Sequence, residues 1–121
     1  MWNGINRRKF PRVSYKCIIH IGKKESGKTI STHTENIGVG GICVVLDEDL
    51  GLFQGVDLEV DLENGVPVNI KCSGTVVWVV KKRTISHKGR TFYDTGIEFV
   101  DLNEKGHERI NKIVDKHLEA V

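Results

Sequence analysis

The chain has 121 residues, 39% of them hydrophobic and only two of them proline, which suits one compact domain that buries its own core without covalent staples. It has no signal-type apolar N-terminus, no run of about eighteen apolar residues, and three separated cysteines (Cys17, Cys43, Cys72) with no Cys-x-x-Cys pair, so a cytoplasmic protein with reduced thiols is expected. The net charge of +2 conceals an asymmetry: residues 1–30 carry eight Lys or Arg against Glu25 alone, the rest ten against fifteen acids, a pattern that suits a compact anionic partner better than long nucleic acid.

The basic run Arg7-Arg8-Lys9-Phe10-Pro11-Arg12 comes first. Pro11 lacks an N–H and biases Phe10 to extended backbone, so a mobile, non-helical N-terminal segment is expected over residues 1–12. Val13, Tyr15, Cys17, Ile19 and Ile21 then alternate as a strand does, and the polar stretch from Gly22 to Gly27 ends it. Lys28 to Glu35, rich in Thr, reads as its antiparallel partner.

Asn36-Ile37-Gly38-Val39-Gly40-Gly41 follows, leading into the short apolar strand Ile42–Leu46. Glycine at these positions suggests a tight turn with positive φ and a main chain that a ligand can approach closely. The stretch is neither a dinucleotide fingerprint nor a P-loop, since the third glycine, the following helix and the Gly-Lys-Ser/Thr element are all missing.

After an acidic turn at 47–51, Val56, Leu58, Val60 and Leu62 alternate with acids, and Asn64-Gly65 signals a hairpin. Val66 to Val80 forms a long return strand in which Gly74 marks a bend or bulge. Residues 81–90 read as a polar loop, and Thr91 to Val100 as the next strand. The period then changes: Ile110, Ile113, Val114 and Leu118 recur at helical spacing behind Asp101-Leu102-Asn103-Glu104, which resembles a capping box, so a helix is expected over 102–119. About six antiparallel strands over 13–100 and one terminal helix describe a mainly β fold, a small barrel or curled sheet.

Two stretches together carry the functional reading. Arg8 and Arg12 offer planar guanidinium forks suited to phosphate or to O6 and N7 of guanine, and Asn36 offers both an acceptor and a donor amide. Arg8-x-x-x-Arg12, then Asn36-x-Gly38-x-x-Gly41, resembles the RxxxR and (D/N)xSxxG motifs of the PilZ domain, and Gly74–Trp78 and Thr95–Phe99 resemble its later strands. The resemblance covers nearly the whole chain and implies a six-stranded antiparallel barrel with a C-terminal helix that serves as a bacterial receptor for cyclic di-GMP. By resemblance, Arg7, Arg8 and Arg12 grip guanine edges and phosphates, Asn36, Gly38 and Gly41 hold the other side of a guanine, and Trp78 stacks on a base. From the residues alone, Trp78 fits the core equally well, because valines flank it on both sides.

The family's serine is Gly38 here, which removes one hydroxyl hydrogen bond, worth about 0.5–1.5 kcal/mol. No enzyme, no metal and no cofactor is expected: Cys17 and His20 lie three apart on a strand and face opposite sides, and no nucleophile has a base at motif spacing. The implied partners are the nucleotide and a downstream protein, without membrane insertion. Two alternatives stand beside this reading: a PilZ-like protein-interaction module that does not bind nucleotide, and a small nucleic-acid-binding barrel.

Overall fold

The computed structural model describes residues 12–64, 66–83 and 89–119. Arg7, Arg8 and the rest of the basic run before Arg12 lie outside the described residues, and so does the expectation that this run is mobile.

Seven strands precede one helix: β1 (Val13–Ser14), β2 (Ile18–Lys23), β3 (Thr29–Gly38), β4 (Gly41–Leu46), β5 (Gly55–Asn64), β6 (Val66–Arg83), β7 (Thr91–Phe99) and α1 (Glu104–Glu119). All pairings are antiparallel. The order β3-β2-β5-β6-β7-β4 is closed by pairing of β3 with β4, which makes the expected six-stranded barrel. Two-residue β1 continues β2 along the same edge of β3, and closure leaves no long open edge in the paired part of the sheet.

Thr34 bridges the break between β1 and β2. Its fully buried hydroxyl donates to Tyr15 O at 2.7 Å and accepts from Cys17 N at 3.1 Å, supplying the backbone bonds that the interruption removes. The alternation read from the sequence is the inside of this barrel: Ile19, Ile21, Val56, Leu58, Val60 and Leu62 are all buried.

Gly74 is not the site of a bulge. It pairs in unbroken register with Val56 and Phe99, and a Cβ there would meet Ile97 Cγ2 at 2.7 Å and Leu58 Cδ1 at 2.8 Å, so packing of the barrel interior is what demands glycine. The β6–β7 register slips instead between Val76 and Trp78, and a second slip separates Thr34 from Asn36 in β3. Strand β6 also runs on to Arg83, three residues into the expected loop.

Helix α1 buries Ile110, Ile113 and Val114, each burial worth about 1.5–3 kcal/mol, and packs beside β1 and β3. His117 meets the Tyr15 ring edge-on, with centroids 5.2 Å apart. Asn103 is the N-cap, its Oδ1 accepting from Gly106 N at 2.7 Å. The reciprocal half of a capping box is missing because the third helical residue is Gly106, where a Cβ would meet Leu102 Cδ1 at 2.7 Å and Ile70 Cγ2 at 3.1 Å. Among the described residues no helix is long and apolar enough to cross a membrane.

Candidate functional site

Residues paired across an antiparallel ladder share a face, so the registers assign the surface row by row. One row, Val13–Ile37–Ile42–Ile97–Val76, is buried throughout and belongs to the barrel interior. Another interior row is Thr34–Val44–Thr95–Val79, of which Thr34, Val44 and Thr95 are fully buried. Between them runs an outward row: Ser14–Asn36–Cys43–Gly96–Trp78.

Two bulges create that row. In regular strands, interior residues are two apart, yet Thr34 and Ile37, and likewise Val76 and Val79, are three apart. The extra residues, Glu35 and Val77, are accommodated as bulges, and each leaves the neighbouring side chain, Asn36 or Trp78, on the outside. Trp78 therefore faces outward and Val76 inward, which resolves the choice left open by the run of valines and places the two on opposite faces.

The floor between Asn36 and Trp78 is made of small residues. A Cβ on Gly96 would overlap the indole of Trp78, so the ring lies flat across that glycine and is half-buried by the sheet itself. Cys43, next along the row, is buried yet lies outside the hydrophobic core cluster. At about 4.8 Å per strand, the three steps from Asn36 to Trp78 span about 14 Å of surface.

Asn36 ends this platform with a buried Oδ1 that has no hydrogen-bond partner among the described residues. Such an acceptor is costly to leave unsatisfied, by about 1–3 kcal/mol, and is accounted for when a donor is supplied from outside. Arg12, with Nη1 buried, immediately precedes the Val13–Ile37 pair and so comes alongside Gly38. Gly38 pairs with Gly41 across the turn at Val39 and Gly40.

The turn does not use left-handed backbone. Among described glycines positive φ occurs at Gly27, Gly51 and Gly89, none of them between 36 and 41. Gly41 is required for close approach instead, because a Cβ there would collide with Ile97 O and stand 3.1 Å from Glu98 Cα. The structure thus brings Arg12, Asn36, Gly38, Gly41 and Trp78 to one end and one outer face of the barrel, while Arg7 and Arg8 lie outside the described residues.

Ser14, Cys43 and Gly96 complete the row without having been singled out from the sequence. Their only signal was small size opposite a large aromatic, and that becomes readable once the register is known. A concavity lies elsewhere, an open trough of about 470 Å³ above Gly22, bordered by His20, Asp57, Glu59, Lys71 and Asp101. Its polar groups are already partnered: His20 Nδ1 lies 2.7 Å from Ser31 Oγ, and Lys71 lies 3.8 Å from Glu59. The remaining cysteines, Cys17 and Cys72, are free and buried. Burial raises the thiol pKa of both, more than the Asp61 charge does for Cys17, and in Cys72, with a further push from Asp101, to about 11.

The fold is similar to that of several solved proteins. MotI/DgrA, the inhibitor of motility of Bacillus subtilis, superposes with a TM-score of 0.76 at 20% identity over 94% of this chain and 52% of its own. The PilZ domain of Escherichia coli YcgR, solved with c-di-GMP, gives 0.71 at 14% identity over 94% of this chain and 93% of its own. MrkH of K. pneumonia, solved as its c-di-GMP complex, gives 0.69 at 20% identity over 94% and 54%. The chain therefore spans about half the length of MotI/DgrA and MrkH but nearly all of the YcgR domain. No curated protein matches it significantly in sequence. A family model described as the PilZ domain matches residues 6–116, and with that span, the closed barrel and the terminal helix in place, the chain belongs to the PilZ domain family.

Proposed function

We propose that this PilZ domain is a receptor for cyclic di-GMP that reports ligand binding to a protein partner. The observation that carries the reading is the buried Oδ1 of Asn36, without a partner among the described residues, on the same outward row as Trp78. Guanine is a base whose N1–H and N2–H₂ donate to such an acceptor, while its π-face stacks on an indole. Gly96 lets the indole lie flat against the sheet beside Cys43, which gives a flat ligand a level surface, and the c-di-GMP complexes of the YcgR domain and MrkH share the fold.

Arg12 is the described member of the basic run, and Arg7 and Arg8 supply two further guanidinium groups. Their roles are phosphate neutralisation and paired hydrogen bonds to the guanine Hoogsteen edge. Closing of residues 1–12 over ligand held on the barrel (13–100) changes the surface seen by a partner, with the helix of 102–119 as the fixed base. No covalent chemistry is involved.

Calorimetry with cyclic di-GMP, cyclic di-AMP and GMP at physiological salt tests the reading. Saturable binding of cyclic di-GMP alone is expected, weakened about 10- to 150-fold in Arg12→Ala, the range of a charged hydrogen bond. Gly38, standing where the family motif has serine, supports a second reading as an interaction module that takes no nucleotide. Absence of any saturable signal with cyclic di-GMP decides for that one.

A further inference from the structure

Position 38 carries no side chain, so β3 brings Asn36 to the outward face without the hydroxyl that a serine two residues on would add. A hydroxyl stands on the neighbouring strand instead. Ser14 pairs with Asn36 in the β1–β3 ladder, which sets their Cβ atoms about 5 Å apart on one face, and Gly38 is its diagonal neighbour at about 7–8 Å. Ser14 thus extends the row that holds Asn36 and Trp78, on the far side of Asn36 from the indole.

The direction of this side chain is fixed by its two neighbours in the chain. Val13 is buried at 7% exposure, and Tyr15 O accepts the Thr34 hydroxyl at 2.7 Å, so turning Ser14 inward would give up both core packing and that bond. Ser14 itself is exposed, and no hydrogen bond to another described residue engages its hydroxyl. The barrel gains nothing from that group. A ligand gains a donor and acceptor held on ordered strand, so that contact with it costs little further ordering.

Guanine has a matching need. A carboxamide presents an acceptor and a donor side by side, which suits N1–H and O6 of the base and leaves the adjacent 2-amino group without an acceptor. We propose that Ser14 Oγ accepts a hydrogen bond from this 2-amino group while Asn36 engages N1–H and O6, so that Ser14 is a specificity-determining residue of the site. It takes over on β1 a hydrogen bond that Gly38 cannot make on β3. Ser14 acts here within the cyclic di-GMP site proposed above, and its role depends on that reading. A purine without the 2-amino group still reaches Asn36 but leaves the Ser14 hydroxyl to water.

Calorimetry of the full chain with cyclic di-GMP and with cyclic di-IMP, which lacks the 2-amino group, tests the proposal. Ser14→Ala is expected to weaken cyclic di-GMP about two- to thirteenfold, the range of one hydrogen bond, and to leave the affinity for cyclic di-IMP unchanged. Ser14→Thr keeps a hydroxyl on a residue suited to a strand and is expected to restore cyclic di-GMP binding. Since Ser14 is exposed and outside the core, both variants are expected to melt as the unmodified chain does, which separates lost contact from lost fold. Cyclic di-GMP affinity that Ser14→Ala leaves unchanged, or a loss of equal size for the two ligands, overturns this assignment while the receptor reading stands. No saturable binding of cyclic di-GMP by the unmodified chain overturns both.

Discussion

Asn36 and Trp78 stand on one outward row of the barrel, three strands apart, and the floor between them is Cys43 and Gly96. Neither residue would be there in an unbroken ladder: the bulges at Glu35 and Val77 each move one side chain from one face to the other. The candidate site is thus a property of strand register, and its parts can be tested separately from the fold.

Asn36→Ala separates binding from stability. Because Asn36 Oδ1 has no hydrogen-bond partner among the described residues, removing it relieves an unsatisfied buried acceptor in the unliganded barrel. Thermal unfolding is expected to be unchanged or raised by a few degrees, about 1 kcal/mol, while cyclic di-GMP affinity falls about tenfold or more. A marked drop in melting temperature would show that Asn36 is structural.

Gly96→Ala tests the flat seating of the indole. The added methyl overlaps the Trp78 ring and must lift it or displace strand β7. Overpacking of this kind costs about 1–3 kcal/mol. In a Trp2→Phe background, where Trp78 is the remaining tryptophan, the emission is expected to shift to the red as the ring gains solvent.

Thr34→Val probes the break between β1 and β2. Valine keeps the volume but deletes the hydroxyl, and with it the hydrogen bonds to Tyr15 O and from Cys17 N beside a fully buried position. A loss of about 2–4 kcal/mol in urea-induced unfolding is expected, with little change in the denaturant slope. Arg12 and Ser14 lie on the segment this hydroxyl anchors, so ligand affinity is expected to fall with it.

Alkaline pH bears on Cys72. Its thiol pKa is raised from 9.0 to about 11 in the folded state, chiefly by burial, so folding favours the protonated form. The contribution to stability is fully present below pH 9 and is lost as pH rises through 11. Melting temperature is expected to fall over that window, and less steeply in Cys72→Ala; native Cys72 should also resist alkylation at pH 8.

Much of this protein was legible in one dimension. The alternation from Val56 to Leu62 and the helical spacing of Ile110, Ile113 and Val114 each reflect a local choice between core and water, and a linear pattern records such choices directly. The order of strands and the terminal helix followed from these. So did the pairing of Arg12 with the 36–41 stretch, because an antiparallel hairpin places β1 beside the end of β3.

What only the tertiary structure decided is which way Asn36 and Trp78 face. Val76-Val77-Trp78-Val79-Val80 is apolar on both faces, so its pattern is the same whether or not a residue is skipped. The register is chosen by what lies across the strands: Ile97 needs Val76 inside, Gly96 has room for an indole outside, and Val77 is the residue left over. Likewise Gly41 and Gly74 are glycines because Ile97 O and the Leu58–Ile97 contact occupy the space of a side chain, and neither neighbour is close in sequence. Local preference wrote the strands, and long-range packing set their register.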